Sequence, residues 1–226
     1  MYDENIFNKK MALPILYSLR HCPYAMRARI ALLKSKQQVI LRNITLTNKP
    51  EEMLTASPKG SVPILVISPS LVIEESLEIM LWALGENDGN DLLHNHYPTE
   101  LPQLVRLIFQ FDSEFTLFLA KYKCASRYRE DNIMQCRQDC EFYIQALEKR
   151  LEKHTFLMSE KESLADLALL PFIRQFARVE RQWYLQSPYP KLRAWLNAYL
   201  QSPSFTKIMI KPPLWEKDQK IIIFGE

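Results

Sequence analysis

The spacing of apolar residues changes near residue 88, and this change constrains the fold of the 226-residue chain more than any other feature. Before it, short apolar runs alternate with segments of helical period, in the order strand, helix, strand, helix, strand, strand, helix. After it, the segments that show a clear period are helical. The sequence therefore predicts an α/β domain followed by an all-α domain.

A polar stretch with several turn residues, ENDGNDLLHNHYP, stands between the two halves and predicts a linker. The N-terminal stretch MYDENIFNKK has no apolar run and predicts a mobile tail. The division that we predict is residues 1–11 as this tail, 12–87 as the α/β domain, 88–98 as the linker, 99–212 as the helical domain and 213–226 as a C-terminal tail.

In the first domain, the last two predicted strands are joined by the short turn SPS, which favours an antiparallel hairpin. The predicted strands cover residues 13–19, 39–44, 62–67 and 71–75. The predicted helices cover residues 23–37, a segment that begins near Pro50 and a segment that ends near Gly85.

In the second half, five helices are predicted, over residues 99–122, 128–153, 164–181, 190–201 and 204–210. The sequence SLAD at residues 163–166 is a capping box that opens the third of them. Near the C-terminus, the apolar IIIF is predicted to pair with or cover an exposed sheet edge.

Charge and composition exclude several classes of protein. The net charge of +3 comes from mixed charges, which is too mild for a nucleic-acid-binding surface. No apolar run is long enough for a membrane span, and the N-terminus lacks the apolar core of a signal peptide. The four cysteines are therefore expected to be reduced, in a cytoplasmic protein.

Cys22 directly follows the first predicted strand and precedes Pro23, which opens the next helix. Because proline is tolerated at the first helical position, Cys22 is expected at the N-cap, where free backbone N–H groups and the helix dipole favour a thiolate. Arg20 and Arg27 are expected to add positive potential. The alternative is a buried, inert cysteine.

Two other stretches suggest a binding site for a short peptide. Val62 precedes Pro63 at the head of a strand, where a cis proline can leave the Val62 backbone groups free to bind another backbone. Ser76 is expected to cap the following helix, whose amides suit an anion, and Glu75 suits a ligand ammonium group. The alternatives are a plain strand-initiating proline and a plain helix cap.

Together, CPYA after a strand, the later VP and the ES that follows resemble the glutathione transferase superfamily. The closest resemblance is to its cysteine-type members, in the omega class or a glutaredoxin-like bacterial branch, and Lys49 before Pro50 and Glu51 matches an omega pattern. The resemblance implies a thioredoxin-like N-terminal domain and an all-α C-terminal domain. It also implies a homodimer.

The resemblance implies that Cys22 is the catalytic thiol and that it forms a mixed disulfide with glutathione, the co-substrate. Tyr24 lies in the same motif and is expected at the glutathione site. Ala25 stands where a dithiol enzyme has its second cysteine, so a second glutathione must resolve the mixed disulfide. Tyr17, in the first strand, is the rival activating residue, because other classes use a tyrosine near that point. No metal is implied.

The remaining glutathione contacts follow from the same resemblance. Lys49 would reach the glycyl carboxylate, and Val62 would exchange backbone hydrogen bonds with the cysteinyl unit beside a cis Pro63. Glu75 and Ser76 would hold the γ-glutamyl end.

Several other groups carry competing interpretations. Cys136 and Cys140 lie one helical turn apart with Cys124 upstream, but a fourth metal ligand is missing, so core or partly exposed thiols are preferred. His94 and His96 are expected to be solvated linker histidines. The aromatic residues of the first helix of the second half are expected in a core rather than in an acceptor pocket: Phe109, Phe111, Phe115, Phe118 and Tyr122.

The predicted enzyme is a glutathione-dependent thiol transferase or reductase that acts on a small-molecule or glutathionylated acceptor. The acceptor pocket is predicted across the domain cleft from Cys22, with a rim formed by Tyr128, Arg174, Arg178 and Trp183. The alternatives are a conjugating transferase that acts on electrophiles and a non-catalytic binding or regulatory protein on the same fold.

Overall fold

The computed structural model describes residues 13–95, 99–215 and 221–226. The predicted tail at residues 1–11 and the linker residue His96 lie outside this part of the chain. The sequence predicts the path of the backbone well in the first domain and less well at the helix ends of the second.

A five-stranded mixed sheet forms the centre of the N-terminal domain, in the order β4-β3-β1-β2-β5. β1 pairs in parallel with β2 and antiparallel with β3, and the predicted β3–β4 hairpin is confirmed. The strands are β1 (Ile15–Ser18), β2 (Val39–Asn43), β3 (Ile64–Ser68), β4 (Leu71–Ile73) and β5 (Ile223–Phe224).

Three helices complete this domain: α1 (Pro23–Lys34), α2 (Glu51–Ala56) and α3 (Ser76–Glu86). The prediction for α1 extended to residue 37, which is three residues too far. The helix ends at Lys34 because Lys36 adopts a left-handed conformation with φ 55°, and the Gln37 N–H then bonds the Leu32 carbonyl. The buried residues of α1 and α3 belong to one apolar core that also contains Leu16 and Leu41 of the sheet.

The second half is helical, as predicted. Its helices are α4 (Glu100–Gln110), α5 (Thr116–Tyr128), α6 (Ile133–Leu151), α7 (Leu164–Val179), α8 (Arg181–Gln186), α9 (Pro190–Leu200) and α10 (Pro203–Ile208), with a π-helical turn at Phe111–Phe115 between α4 and α5. The predicted break between residues 122 and 128 is wrong. α5 continues to Tyr128, and the left-handed Arg129, with φ 56°, ends it.

α7 is the buried centre of the helical domain, and its predicted capping box is present. The Asp166 carboxylate accepts hydrogen bonds from the Ser163 N–H and hydroxyl, and also from the Leu157 N–H and the Trp195 indole. The box therefore does more than begin a helix, since it also fixes a loop and α9 against α7.

His94 was predicted to be a solvated linker histidine. That prediction is wrong, because its side chain is buried. Its Nδ1 lies 2.6 Å from a Glu100 carboxylate oxygen, and its Nε2 lies 3.2 Å from the Glu162 carbonyl oxygen. Leu92 and Leu93 are buried beside it. The polar composition of the linker concealed these three residues. They hold the linker against the helical domain, where the Leu164 N–H also donates to the Leu92 carbonyl.

β5 pairs antiparallel with β2 and covers the edge of the sheet, which confirms the role predicted for IIIF. Leu41 donates a backbone hydrogen bond to Ile222 in this pairing. The C-terminal end of the chain thus completes the N-terminal domain.

Candidate active site

Cys22 is the N-cap of α1, as the sequence predicts. Its backbone is extended, with φ −69° and ψ 124°, and Pro23 occupies the first helical position. The side chain is half-buried, and its thiol donates a hydrogen bond to the Val62 carbonyl oxygen at 3.7 Å. The thiol therefore lies at the positive end of a helix, next to the backbone of the loop before β3.

The Val62–Pro63 peptide bond is cis, as predicted. Val62 is buried in a small apolar cluster with Tyr17, Ile44 and Met53, and Cys22 packs against the same cluster. In the part of the chain that the structure describes, the Val62 N–H has no hydrogen-bond partner. Cys22 and an unpaired backbone edge are therefore adjacent, as the sequence predicted.

At the start of α3, the N-cap lies one residue earlier than predicted. Glu75 is the N-cap and Ser76 is the first helical residue, so the prediction that Ser76 caps the helix is wrong. Ser76 is buried, while the Glu75 side chain is exposed and forms an ion pair with Lys59. Lys59 was missed because nothing in the local sequence indicates that the turn before β3 reaches the start of α3.

Lys49 lies over the turn at Gly60, beside α2. Gly60 has φ +59°, and a methyl group built on its Cα would lie 3.1 Å from the Lys49 ammonium nitrogen. The side chain of Lys49 is half-buried. Lys49 and Lys59 are therefore two cationic side chains next to one turn, with Glu75 bound to the second of them.

Tyr17 does not have the surroundings of an activating hydroxyl. Its side chain is buried, and its hydroxyl accepts a hydrogen bond from Arg42 at 2.6 Å. Burial raises the pKa of Tyr17, an effect larger than the opposing attraction of Arg42. Tyr24, in the first turn of α1, has its ring edge-on to Phe172 of α7 at 5.1 Å and 37% of its surface exposed.

The arginines near Cys22 are arranged differently from the prediction. Arg27 points away from the thiol and forms a bidentate ion pair with Asp112, so it does not serve as a free positive charge. Arg20 donates from Nε to the Met209 carbonyl. The side chain that sequence reasoning missed is Arg29, which is 3% exposed and lies behind the loop that carries Cys22.

Arg29 holds that loop from the inside. Its guanidinium donates to the Ser18 hydroxyl, to the carbonyls of Leu19 and Arg20, and to the Ile208 carbonyl of α10. Burial lowers the pKa of Arg29 to about 10, and attraction to Cys22 acts in the opposite direction. A buried cation thus holds the segment from Ser18 to Arg20 that leads to Cys22.

Known proteins are similar to this chain both in sequence and in fold. The family described as "Glutathione S-transferase, N-terminal domain" matches residues 16–91. The family described as "Glutathione S-transferase, C-terminal domain" matches residues 111–203. The chain belongs to the glutathione S-transferase family. The predicted fold class, a thioredoxin-like domain followed by an all-α domain, is therefore confirmed.

Several relatives of this glutathione S-transferase are of the omega class. Glutathione S-transferase omega-1 of Sus scrofa is 26% identical over 204 residues, which cover 87% of this chain and 80% of that protein. Omega-1 of Mus musculus is 29% identical over 192 residues, or 83% of this chain and 77% of that protein. The predicted omega-like glutathione transferase is thus confirmed, and the bacterial branch stays a prediction.

A solved glutathione transferase family member from Pseudomonas fluorescens has the same fold as this glutathione S-transferase. Its TM-score is 0.76 at 17% identity, and the match covers 89% of this chain and 94% of that one. The similarity extends over both domains.

The predicted rim residues of the acceptor pocket separate into two groups. Arg174 and Arg178 of α7 line a cleft of about 480 Å³ together with His21, the neighbour of Cys22. Tyr128 is 67% exposed at the end of α5 and does not line this cleft. Trp183 packs against Phe176 and Tyr189 instead, with Arg137 over its ring at 4.3 Å.

The other cysteines of this transferase lie in the helical domain. Cys136 and Cys140 are buried in α6, and burial raises the pKa of Cys140 to about 12, while Cys124 is exposed on α5. Among residues 13–95, 99–215 and 221–226, no group of three or more acidic, histidine or cysteine side chains is arranged for a metal, and no helix is long and apolar enough to cross a membrane.

The aromatic residues of α4 and α5 mostly form core, as preferred. Phe111, Phe115 and Tyr122 are buried, and Phe111 and Phe115 pack against Tyr143 of α6. Phe109 is the exception, with 68% of its surface exposed.

Proposed function

We propose that this protein is a glutathione-dependent thiol transferase with a single active-site thiol, Cys22. One observation carries the proposal: the Cys22 thiol, at the start of α1, contacts the Val62 carbonyl. The thiol has a helix N-terminus on one side and an unpaired backbone edge on the other, inside a glutathione S-transferase fold. A thiol peptide that binds this edge would place its sulfur near Cys22.

The proposed reaction has two disulfide exchanges. The Cys22 thiolate attacks the glutathione sulfur of a mixed disulfide, R–S–S–G. The old S–S bond breaks, a new one joins Cys22 to glutathione, and R–S⁻ leaves with the electron pair. The thiolate of a second glutathione then attacks the glutathione sulfur on Cys22. The bond to Cys22 breaks, the Cys22 thiolate leaves with the electron pair, and glutathione disulfide forms. The proton lost by that glutathione goes to R–S⁻, so the products are R–SH and glutathione disulfide.

The second glutathione is required because the motif holds one thiol. Ala25 is buried at the position where a resolving cysteine would stand, and the other described cysteines lie in α5 and α6. The Pseudomonas fluorescens family member is described with two glutathione molecules bound, which supports a fold of this kind accepting two.

Glutathione itself would be held by groups of both charges. We assign the Val62 backbone, beside Pro63, to the cysteinyl unit, Lys49 to the glycyl carboxylate, and Glu75 with Ser76 to the γ-glutamyl end. The exposed Lys59–Glu75 ion pair supports the last assignment, because an incoming ammonium group can replace the Lys59 ammonium at the same carboxylate. We also assign Tyr24, in the first turn of α1, to the glutathione site.

Conjugation to electrophiles is the second candidate activity, and a non-catalytic binding protein is the third. The presence of a thiol at the start of α1 favours disulfide exchange over both, because a thiolate is the attacking group in that reaction. A homodimer and a cytoplasmic location stay predictions. Size-exclusion chromatography with light scattering measures the first of these directly.

The test is steady-state turnover of a mixed disulfide of glutathione and 2-mercaptoethanol, with excess glutathione. We expect turnover by the wild type and none above the uncatalysed rate by Cys22→Ala. Cys124→Ala is the matched control, because it removes an exposed thiol that contacts Glu130 and does not line the cleft at His21, and it should keep the full rate. Turnover by Cys22→Ala would exclude Cys22 as the nucleophile, while glutathione binding without any turnover by the wild type would favour the non-catalytic alternative.

A further inference from the structure

The cleft that is lined by His21, the residue before Cys22, is strongly basic. His21 forms one wall, Lys123 and Arg127 of α5 form a second, and Arg174 and Arg178 of α7 form the third. No aspartate or glutamate lines it. Four permanent positive charges therefore surround a space that is lined by the residue before the proposed nucleophile.

These cations are arranged as two pairs. Lys123 and Arg127 are four residues apart on α5, and Arg174 and Arg178 are four residues apart on α7, so each pair lies on one face of its helix. Like charges at this spacing destabilise a helix, and the two pairs also face one another. The arrangement has an electrostatic cost within the protein, and a bound anion would relieve it.

The protein itself supplies no such anion. Within the described part of the chain, none of the four cations forms an ion pair, and the Lys123 ammonium donates only to the neutral Gln175 amide oxygen, at 3.4 Å. The nearby carboxylate of Glu180 is already bound by the Tyr122 hydroxyl and by Arg137. Burial and the neighbouring Arg178 and Arg20 lower the pKa of Arg174, consistent with uncompensated charge.

We propose that this cleft binds the acidic groups of the acceptor, and that the preferred acceptors are disulfides of glutathione with small thiols that carry two carboxylates. The inference rests on the thiol transferase function proposed above and specifies its substrate class. Each helix offers one pair of cations, so two carboxylates on one small molecule match the two walls. Arginine forks and ammonium groups both bind carboxylates through charge-assisted hydrogen bonds.

The cations also suit the first exchange step. When Cys22 attacks the glutathione sulfur, the leaving thiolate of the acceptor gains a full negative charge. If its carboxylates are bound between α5 and α7, that sulfur is held near His21, Arg174 and Arg178 as the charge develops. Recognition of the acceptor and stabilisation of the leaving thiolate then use the same residues.

The kinetic test uses two matched substrates: the mixed disulfides of glutathione with mercaptosuccinate and with its neutral diamide. Their kcat/KM values are each divided by the uncatalysed rate with glutathione, which removes differences in sulfur reactivity. We expect the diacid to be preferred about tenfold at low ionic strength, and the preference to fall as salt is added. Equal normalised values in the wild type would overturn the proposal and leave the thiol transferase function intact.

Paired variants locate the effect. Lys123→Gln with Arg127→Gln, and separately Arg174→Gln with Arg178→Gln, should each reduce the preference toward about one. Lys149→Gln with Lys153→Gln is the matched control, because it also removes two exposed cations four residues apart, near the end of α6 and away from the cleft. A control that loses the preference as strongly as the cleft variants would show a general charge effect and contradict the site.

The binding of an unreactive diacid tests the cleft independently of any disulfide exchange. Calorimetry with methylthiosuccinate, an unreactive thioether diacid, should show salt-sensitive binding to the wild type and to Cys22→Ala, but not to Lys123→Gln with Arg127→Gln. The methylthiosuccinamide control should not bind. Equal binding of the diacid and the diamide would overturn the proposal even if the protein proved to have no thiol transferase activity.

Discussion

Arg29 is the side chain that fixes the position of Cys22 from behind. It is buried, and its guanidinium satisfies three carbonyls and one hydroxyl on two segments, the loop before α1 and the end of α10. An arginine can do this because its planar fork presents several donors in fixed directions. The residue therefore links the reactive loop of one domain to the last helix of the other.

Replacing Arg29 should cost more stability than an ordinary surface change. Arg29→Met leaves buried carbonyls without donors, and we expect the free energy of unfolding to fall by about 3 kcal/mol in urea denaturation. Arg29→Lys should lie between, since it keeps a charge but not the fork. Arg106→Met, on the exposed face of α4, is the control and should change stability by less than about 0.5 kcal/mol. A loss no larger than that of the control would show that Arg29 is not structural.

The sequence predicts the role of a residue when that role depends on its neighbours in the chain. Cys22 before Pro23 and Val62 before a cis Pro63 could be predicted because an N-cap and a strand start depend on neighbours in the chain. The opposite roles of Arg27 and Arg29 could not. Their spacing of two residues places them on opposite sides of α1, but which side faces Asp112 and which faces the Cys22 loop depends on how α1 packs against the rest of the molecule.

Among the elements, β5 shows how a short strand can protect a larger one. Its two residues cover the edge of β2, which would otherwise expose unpaired backbone groups. The turn after it depends on Gly225, whose φ is +116° and whose Cα lies against Gln37. A methyl group there would lie 2.0 Å from the Gln37 carbonyl oxygen.

Gly225→Ala should therefore detach β5. The expected result is faster amide hydrogen exchange at Leu41, whose N–H donates to Ile222, and a loss of about 2 kcal/mol in the free energy of unfolding. Gly85→Ala is the matched control, because Gly85 lies in α3 with no atom near the added methyl group, and it should stabilise the helix by about 0.5–1 kcal/mol. Unchanged exchange at Leu41 in Gly225→Ala would mean that β5 does not depend on this glycine.

Sequence patterns predict elements better than they predict where elements end. The order of strands and helices up to α3 follows from apolar period together with Pro50 near a helix start and the short SPS turn. The IIIF segment was predicted to pair with or cover a sheet edge. The end of α5 was missed because a charged stretch around Arg127 resembles a loop, whereas a left-handed Arg129 ends the helix. α8 was missed because its six residues are too few for a period to emerge.

In the whole molecule, the two domains are joined through α1. Arg27 of α1 is fully buried, donates to the Ala168 carbonyl of α7 and forms two hydrogen bonds with Asp112, at 2.8 and 2.7 Å. Its guanidinium also lies over the ring of Phe172, 4.5 Å from the centroid. The face of α1 opposite the sheet thus docks on the helical domain, and Cys22 begins the same helix.

This docking predicts strong coupling between Arg27 and Asp112. Breaking a buried ion pair from one side leaves an uncompensated charge, so Asp112→Asn should destabilise the protein, although the partial exposure of Asp112 reduces the cost. In a double-mutant cycle with Arg27→Met, we expect a coupling energy of about 1–3 kcal/mol from chemical denaturation. Additive losses would show that the pair does not hold the domains together.

The fold class could be predicted from the sequence because an α/β half followed by a helical half leaves few architectures. The docking of the halves could not, since Arg27, Asp112 and the buried His94 are polar residues whose partners lie far away in the chain. The basic cleft is a similar case. Arg174 and Arg178 were predicted as rim residues of an acceptor pocket, but only the structure shows that Lys123 and Arg127 line the same cleft.

The most direct test of the whole account is the position of the glutathione adduct. The protein is incubated with glutathione disulfide, and the adduct is measured by intact mass and mapped by proteolysis without reductant. We predict one glutathionyl group per chain, on Cys22, that is removed by added glutathione. An adduct confined to Cys124, or an unmodified Cys22 in a protein that still turns over mixed disulfides, would contradict the account.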